Sequence, residues 1–258
     1  MVANSKIEWC DHTWNPWLGC TKVSPACDHC YAASWAERSG LVTWGHGEQR
    51  RRTSKAKWRE PWRWHDEAGR TGIRRSVFCL SLGDWADKEV PSELRREAFT
   101  VIEATRNLDW LLLTKRQALA KRYLPEKPWP HVRIGMTVEN DDMARLRLPE
   151  LTALGAHGWK TFVSYEPALG PVDWWYWLDP NGINACCIQW IICGGESGPH
   201  HRAMQPKWAR SCRDACQRAG VPFFFKQWGG RTPKAGGREL DGREWSEFPE
   251  RQHREAAE

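Results

Sequence analysis

The sequence predicts an α/β protein with a single domain, a complete or partial (β/α) TIM-like barrel of about six parallel strands. Short β-branched or aromatic runs recur along the chain, with helix-like stretches between them. The starts of these runs lie 22 to 33 residues apart, which is the spacing of βα units. The length of 258 residues also suits one such barrel. An open, doubly wound sheet is the alternative fold.

The predicted strands cover residues 77–82, 110–114, 132–137, 160–164, 188–193 and 221–226, with an additional early strand at 7–10. Helices are predicted at 31–38, 91–107, 141–154 and 205–219. Pro91-Ser92 and Pro206 near the starts of two of these helices are typical helix-entry signals.

Two segments break this rhythm of strands and helices. Residues 40–75 are basic and rich in tryptophan, and we expect them to form an insertion over one face of a barrel domain that spans residues 1–228. Residues 229–258 are rich in Gly, Arg and Glu with little apolar periodicity, which predicts a loose C-terminal extension.

The composition excludes several classes of protein. With 41% apolar and 27% charged residues, the chain is neither disordered nor collagenous. No apolar run approaches the roughly 18 residues of a membrane span, and the N-terminus lacks a secretion signal. We therefore expect a cytoplasmic protein with no membrane partner, in which ten cysteines indicate metal binding or free thiols rather than disulfides. The net charge of +6 permits a polyanionic partner without requiring one.

The sharpest motif is a C-x6-C-x2-C loop, hereafter the cysteine loop, residues 19–31. Its cysteines are Cys20, Cys27 and Cys30. The C-x2-C step lets two sulfurs reach one metal, and the longer arm brings in the third. A [4Fe–4S] cluster with one open iron is one interpretation. The alternative is a zinc site with Cys10, His12 or His29 as the fourth ligand.

Polar residues follow every predicted strand. If the strands are parallel, their carboxyl ends meet at one mouth, where such folds place their chemistry. The candidates there are Ser81, Asp84, Thr114, Lys115, Glu139, Asn140, Ser164, Glu166, Gly194, Gly195, Glu196, Lys226 and Gln227. The two glycines would let a ligand approach the backbone, and the carboxylates would receive an ammonium or a ribose hydroxyl. Tight turns and rim salt bridges are the alternative interpretation of the same residues.

The cysteine loop, placed after an early strand and before a helix, resembles the radical S-adenosylmethionine (radical SAM) superfamily. Over residues 5–230 the chain also resembles a phage-borne three-cysteine protein family of unknown function. The shared motifs are Trp14-Asn15-Pro16, Gly19-Cys20, Ser24-Pro25, Cys27, Cys30-Tyr31-Ala32, Leu113-Thr114-Lys115-Arg116, Gly135-Met-Thr-Val-Glu139-Asn140, Glu166-Pro167, Gly194-Gly195-Glu196-Ser197-Gly198 and Phe225-Lys226-Gln227-Trp228-Gly229. One departure is the first arm of the loop, since C-x3-C-x2-C with an aromatic before the last cysteine is the commonest superfamily pattern and His29 stands there in this chain.

The resemblance implies a reaction. Cys20, Cys27 and Cys30 would ligate three irons of a [4Fe–4S] cluster, and the fourth iron would bind S-adenosylmethionine. An electron donor such as flavodoxin or ferredoxin would reduce the cluster, and the 5′-deoxyadenosyl radical so formed would abstract hydrogen from a substrate. Tyr31 and the residues at the strand ends would contact the cofactor, with Lys226 and Gln227 toward the substrate.

A basic and aromatic segment is the candidate nucleic-acid contact. It contains Arg50, Arg51, Arg52 and Trp58, which would neutralise phosphates beside a stacking platform. A solvated basic loop is the alternative. The resemblance to a phage family favours a DNA base or a nucleotide as substrate, for modification or repair.

Two rival functions remain open from the sequence. One is a zinc-stabilised nucleic-acid-binding module without catalysis, and the other is an electron-transfer iron–sulfur protein. Five further cysteines are expected to be buried free thiols, namely Cys186, Cys187, Cys193, Cys212 and Cys216.

Overall fold

The computed structural model describes residues 5–232 and 235–249. Its strands are β1 (His12–Trp14), β2 (Trp17–Leu18), β3 (Arg51–Arg52), β4 (Arg75–Cys79), β5 (Leu108–Thr114), β6 (Val132–Thr137), β7 (Lys160–Tyr165), β8 (Ile191–Gly194), β9 (Phe223–Gln227), β10 (Glu239–Leu240) and β11 (Arg243–Glu244). Its α-helices are α1 (Tyr31–Ser39), α2 (Lys55–Thr71), α3 (Ser92–Ala104), α4 (Gln117–Tyr123), α5 (Asp141–Ala156), α6 (Trp174–Leu178) and α7 (Pro206–Ala219), and a 3₁₀ helix covers Pro25–Cys27.

Seven strands form one parallel sheet in the order β1, β4, β5, β6, β7, β8, β9. The strands β2 and β3 lie between β1 and β4 in the chain but form a separate small sheet. The strands of the large sheet follow one another in the same order in the chain and in the sheet. In a doubly wound sheet this order would reverse at one point. The sheet curls into a half-barrel with β1 and β9 at its edges. The α/β prediction is confirmed, and the architecture is compatible with a partial TIM-like barrel.

The first strand lies later than the sequence predicted. Residues 7–10 form a turn in which the Cys10 amide donates to the Ile7 carbonyl at 3.2 Å. The chain becomes extended at His12, whose strand pairs in parallel with β4.

Side chains alternate between the two faces of the sheet because a strand has a period of two. The convex face carries apolar residues that pack against the helices, such as Trp110 and Val163. On the concave face Phe78, Phe162 and Phe224 form a separate apolar cluster, which Trp9 covers. Nearer the carboxyl ends, this concave face becomes polar, and its residues there form the wall of the cavity described below.

Gly135 makes room for the Phe162 side chain of that concave cluster. It lies in β6 beside Phe162 of β7, in register across the two strands. A Cβ atom at position 135 would lie 2.3 Å from the Phe162 ring, so the ring occupies the volume that a side chain on β6 would need. Phe162 is completely buried as a result.

Residues 40–75 hold the crossover helix between β1 and β4, whereas the sequence predicted an insertion. Helix α2 begins after Ser54, whose side chain accepts a bond from the Lys57 amide. It buries Trp64 and Ala68 against the sheet, and the Trp64 ring stacks on His12 with centroids 4.2 Å apart. The segment therefore completes the first βα unit.

Residues 235–249 pack against the sheet, whereas the sequence predicted a loose extension. The hairpin β10–β11 leads to Trp245, which is buried together with Leu240. The Phe225 amide donates to the Trp245 carbonyl at 2.9 Å, so this segment also covers the β9 edge. Residues 233–234 and 250–258 of the predicted extension lie outside the described residues.

Candidate functional site

A cavity of about 950 Å³ opens at the carboxyl ends of the parallel strands. The cysteine loop forms one wall, and strands of the concave face form its floor. Most residues predicted for the site line it: Cys20, Cys27, Cys30, Tyr31, Ser81, Asp84, Thr114, Lys115, Ser164, Glu166, Gly195, Glu196, Lys226 and Gln227. The topology thus brings residues from every part of the chain to one place.

The three cysteines of the loop occupy different local structures. Cys20 follows β2, Cys27 ends the 3₁₀ helix, and Cys30 stands immediately before α1 as its cap residue. Cys20 and Cys27 are buried and Cys30 is half-buried, and none of the chain's ten cysteines forms a disulfide. Three free thiols therefore face a common cavity.

The donor chemistry of these thiols and their position on one cavity wall suit a thiolate-bound metal centre. Within residues 5–232 and 235–249, no group of three or more His, Cys, Asp or Glu side chains converges closely enough to hold a metal. A [4Fe–4S] cluster binds each thiolate through a different iron, so its three cysteines need not converge on a single ion.

The candidate fourth ligands for zinc lie apart from the loop or are already bonded. Cys10 is buried beside Ser5, with 3.4 Å between Sγ and Oγ. His12 is stacked on Trp64. His29 lines the cavity, but its Nδ1 lies 3.1 Å from an oxygen of Glu196.

A buried arginine and carboxylate stand against Cys20. Both terminal nitrogens of Arg116 lie 3.4 Å from the Cys20 Sγ, and one of them lies 2.7 Å from Asp84 Oδ2. Asp84 also accepts bonds from the Thr114 hydroxyl at 2.7 Å and the Lys115 amide at 3.2 Å. Asp84 and Thr114, predicted as cofactor contacts, thus have protein partners and organise the ends of β4 and β5.

The pKa of the Cys20 thiol follows from this setting. Burial and the charge of Asp84 together raise the pKa of the Cys20 thiol to about 12, although Arg116 opposes this shift. The thiol is therefore protonated at neutral pH, and a metal ion would have to displace that proton on binding.

A second arginine–carboxylate pair stands at the end of β8. Glu196 accepts from the Arg202 amide at 2.8 Å and from two guanidinium nitrogens, at 2.9 and 2.6 Å. Arg202 also donates to the Pro25 carbonyl at 2.8 Å, inside the cysteine loop. Burial alone would raise the pKa of Glu196, but its bonds from Arg202 outweigh burial and lower that pKa.

The cavity floor carries one further ion pair. The Lys226 ammonium of β9 contacts the Glu166 carboxylate that follows β7. Gly194 of β8 lies between them, so the pair meets across the intervening strand. About a fifth of each side chain is exposed, so both groups face the cavity space.

The model of a family described as protein of unknown function (DUF5131) matches residues 4–249. The chain belongs to this family. No curated protein and no solved structure matches it. Among the described residues of this DUF5131 protein, no helix combines the length and the apolar character that a membrane span requires.

Three of the predicted strand-end residues of this DUF5131 protein lie outside the lining of the cavity. Glu139 is completely buried and pairs with Arg147 at 2.7 Å, away from the cavity. Asn140 caps α5 by accepting from the Met143 amide at 3.0 Å. Gly194 does not line the cavity.

Gly195 lines the cavity, but a glycine is required there by the packing of the sheet and not by a ligand. A Cβ there would lie 1.9 Å from the Trp228 carbonyl oxygen, so glycine allows the two backbones to approach closely.

Neighbouring strand-end residues are also bonded within the protein. The Gln227 amide donates to the Ser197 hydroxyl at 2.6 Å. Ser81 Oγ accepts from Asn15 at 3.0 Å, and the Ser81 carbonyl accepts from the Tyr31 hydroxyl at 2.7 Å. These bonds fix the mouth of the cavity near α1 and β9.

The predicted nucleic-acid segment is largely engaged within the protein. The Arg50 side chain is fully buried and pairs with Asp87 and Glu89, each at 2.8 Å, which corrects its predicted place on the surface. Arg51 donates to the Leu41 carbonyl at 2.6 Å. Arg52 pairs with Glu97 at 2.6 Å and covers the Trp58 ring at 4.0 Å, so one face of that ring is occupied.

The remaining cysteines divide into two kinds. Cys193, Cys212 and Cys216 are buried free thiols, as predicted. Cys186 is exposed and Cys187 is half-buried, which corrects the prediction for these two.

Sequence reasoning missed Arg202 as an element of the site, and it considered His29 only as a zinc ligand and not as a partner of Glu196. Arg202 lies in the loop after β8, outside any motif, and its partners Pro25 and Glu196 are remote from each other in sequence. The one signal in the sequence that could have indicated Arg202 was its position a few residues after the Gly-Gly-Glu turn. Trp44 was missed also, and it lines the cavity from the loop before β3.

Proposed function

We propose that this DUF5131 protein is a radical SAM enzyme. The observation that carries the proposal is the set of three free thiols, Cys20, Cys27 and Cys30, on the wall of a large cavity at the carboxyl ends of parallel strands. These residues would hold a [4Fe–4S] cluster. When bound, the cluster would supply the electron that cleaves S-adenosylmethionine to methionine and a 5′-deoxyadenosyl radical.

The cavity has the size and the lining that such a reaction needs. Its volume of about 950 Å³ lies at the top of the range of about 300 to 1,000 Å³ for small-molecule sites, which supports room for a cofactor and a second molecule. Trp9, Phe78 and Leu113 give the floor an apolar surface that excludes water from a reactive species.

Polar groups on the same walls would orient the ligands. The Glu166–Lys226 pair offers an acceptor and a donor side by side, with Ser164 beside it. Lys115 lines the mouth and would attract an anionic group. These side chains would bind and align the substrate, and the reactive chemistry would belong to the cofactor.

A DNA base or a nucleotide remains the leading substrate in this proposal. Its support is the lining of the mouth, where Tyr31 and Trp44 offer aromatic faces and Lys115 a positive charge. The burial of Arg50 weakens the segment first assigned to nucleic acid, so the cavity mouth takes its place in the proposal. We propose that the reaction takes place in the cytoplasm, of a bacterial host if the chain is phage-encoded, with flavodoxin or ferredoxin as reductant.

Anaerobic reconstitution of the full chain with iron and sulfide tests the proposal. We expect about four irons and four sulfides per chain, and formation of 5′-deoxyadenosine when the reduced protein receives S-adenosylmethionine. Cys27→Ala should abolish both, whereas Cys186→Ala, at an exposed cysteine that does not line the cavity, should change neither.

Two results would contradict the proposal and identify a rival. One tightly held zinc without sulfide would favour the zinc-stabilised nucleic-acid-binding module. A full cluster without cleavage of S-adenosylmethionine would favour the electron-transfer protein.

A further inference from the structure

Each arm of the cysteine loop is held by an arginine that a carboxylate fixes in turn. Arg116, just after β5, holds the first arm with the help of Asp84. Arg202, in the loop after β8, holds the second arm with the help of Glu196. Each carboxylate lies just beyond the end of a strand, so both anchors are fixed to the sheet.

The first anchor fixes the start of the loop. Besides its contact with Cys20, Arg116 donates to the Thr21 carbonyl at 2.9 Å. The Gly19 amide donates to the Leu82 carbonyl at 3.1 Å, which ties the same arm to the end of β4. Cys20 therefore has a fixed position over the ends of β4 and β5.

The second anchor fixes the arm that carries the other two cysteines. The Arg202 guanidinium bonds the Pro25 carbonyl and lies 3.4 Å from the Asp28 carboxylate, and Glu196 lies 3.1 Å from His29 Nδ1. These contacts span the residues from just before Cys27 to just before Cys30. Only 4% of the Glu196 side chain is exposed. Two guanidinium nitrogens of Arg202 each donate to a different oxygen of this carboxylate, and such a bidentate pair holds the guanidinium in one orientation.

The two anchors stand on opposite sides of the mouth, because β6 and β7 separate β5 from β8 in the sheet. The loop thus crosses the cavity, and the separation of the anchors sets the distance from Cys20 to the other two sulfurs. We infer that Arg202 and Glu196 are positioning residues, which place Cys27 and Cys30 relative to Cys20 for the metal centre. This inference rests on the proposed function for its chemical meaning, but the anchoring can be measured without metal.

The experiment uses the full chain with Arg202→Gln, Arg202→Lys and Glu196→Gln. The matched control is Arg210→Gln, which removes another arginine–carboxylate pair, 2.8 Å from Asp241, on the surface. Hydrogen–deuterium exchange of the metal-free protein compares residues 25–30 with residues 12–20. The reconstituted proteins are then compared by iron content and by the electron paramagnetic resonance spectrum of the reduced cluster with S-adenosylmethionine.

With Arg202→Gln we expect exchange at residues 25–30 to rise by about tenfold, because charged hydrogen bonds hold that arm, while residues 12–20 stay unchanged. Glu196→Gln should act in the same direction, and Arg202→Lys should give partial rescue because it keeps the charge but not the fork. The resonance spectrum should shift in both glutamine variants and stay as in the wild type for the control.

Exchange at residues 25–30 that stays within about twofold of the wild type in both glutamine variants would overturn the inference. So would a loosening that is equal in the control, since that would indicate a general loss of stability. Failure of the wild-type protein to bind iron would overturn the proposed function, and the exchange data would still decide whether Arg202 and Glu196 anchor the loop.

Discussion

Gly195→Ala tests the claim that the ends of β8 and β9 approach too closely for any side chain. The new Cβ would stand 1.9 Å from the Trp228 carbonyl oxygen, where an ordinary contact begins at 3.4 Å, so the backbones must separate by about 1.5 Å. That movement breaks two backbone bonds of 2.9 Å, from Gly195 to Gln227 and from Gly230 to Glu196. Two lost bonds of about 1 kcal/mol each and about 1 to 3 kcal/mol of overpacking predict a destabilisation of roughly 3 to 5 kcal/mol.

The neighbouring Gly194→Ala is the matched control. Its Cβ would meet Glu166 and Lys226 at 3.5 Å, which is ordinary contact, and we expect a change in unfolding free energy within about 1 kcal/mol. Urea denaturation measures both variants, and thermal unfolding should show Gly195→Ala lower by roughly 10 °C, at about 2 to 4 °C per kcal/mol. Equal stability of the two variants would refute the steric account of the Gly-Gly pair.

Three other predictions test burial and charge. Arg50→Met should lower the free energy of unfolding by about 3 to 5 kcal/mol, since it removes the guanidinium partner of the buried Asp87 and the half-buried Glu89, while Arg51→Met should stay within about 0.5 kcal/mol. If urea denaturation gave the same loss of stability for Arg50→Met and Arg51→Met, Arg50 would have to lie on the surface. Trp245→Ala should cost about 3 to 5 kcal/mol and the more exposed Phe248→Ala about 1 kcal/mol, and comparable values in thermal scans would mean a loose C-terminal segment. The lowered pKa of Glu196 means that its stabilisation is complete above the ordinary value of 4.5 and is lost as pH falls through the folded value. The stability difference between wild type and Glu196→Gln, followed by urea denaturation at successive pH values, should therefore shrink below that value, and a constant difference would contradict the assignment.

The sheet was predictable because buried parallel strands read as continuous apolar runs. Strand β6 has the bounds that the sequence indicated, and the other five predicted strands differ by a few residues at either end. Helix α2 was not predicted, because its buried stripe consists of a few residues such as Trp64 and Ala68 among many charged ones. For such a helix, packing against the sheet decides the structure, and local composition misleads.

The sequence was sufficient to predict where the candidate site lies, but not which of its charged side chains pair with each other. Parallel strands in sequential order must bring their carboxyl ends together, so Ser164 and Glu166 were expected at the mouth. Which carboxylate meets which cation depends on side-chain reach across the sheet. Glu139 turns to Arg147 on α5, whereas Glu166 meets Lys226 across a glycine, and no pattern in the sequence distinguishes the two.

The shared volume of Gly135 and Phe162 has a consequence for how this family can vary. Because the phenyl ring fills the space above the glycine, the two positions are not independent: alanine at 135 should be accepted only together with a smaller residue at 162. In relatives of this chain, a larger residue at position 135 should therefore occur together with a smaller residue at position 162. The double substitution should lower the free energy of unfolding by less than the sum of the two single substitutions.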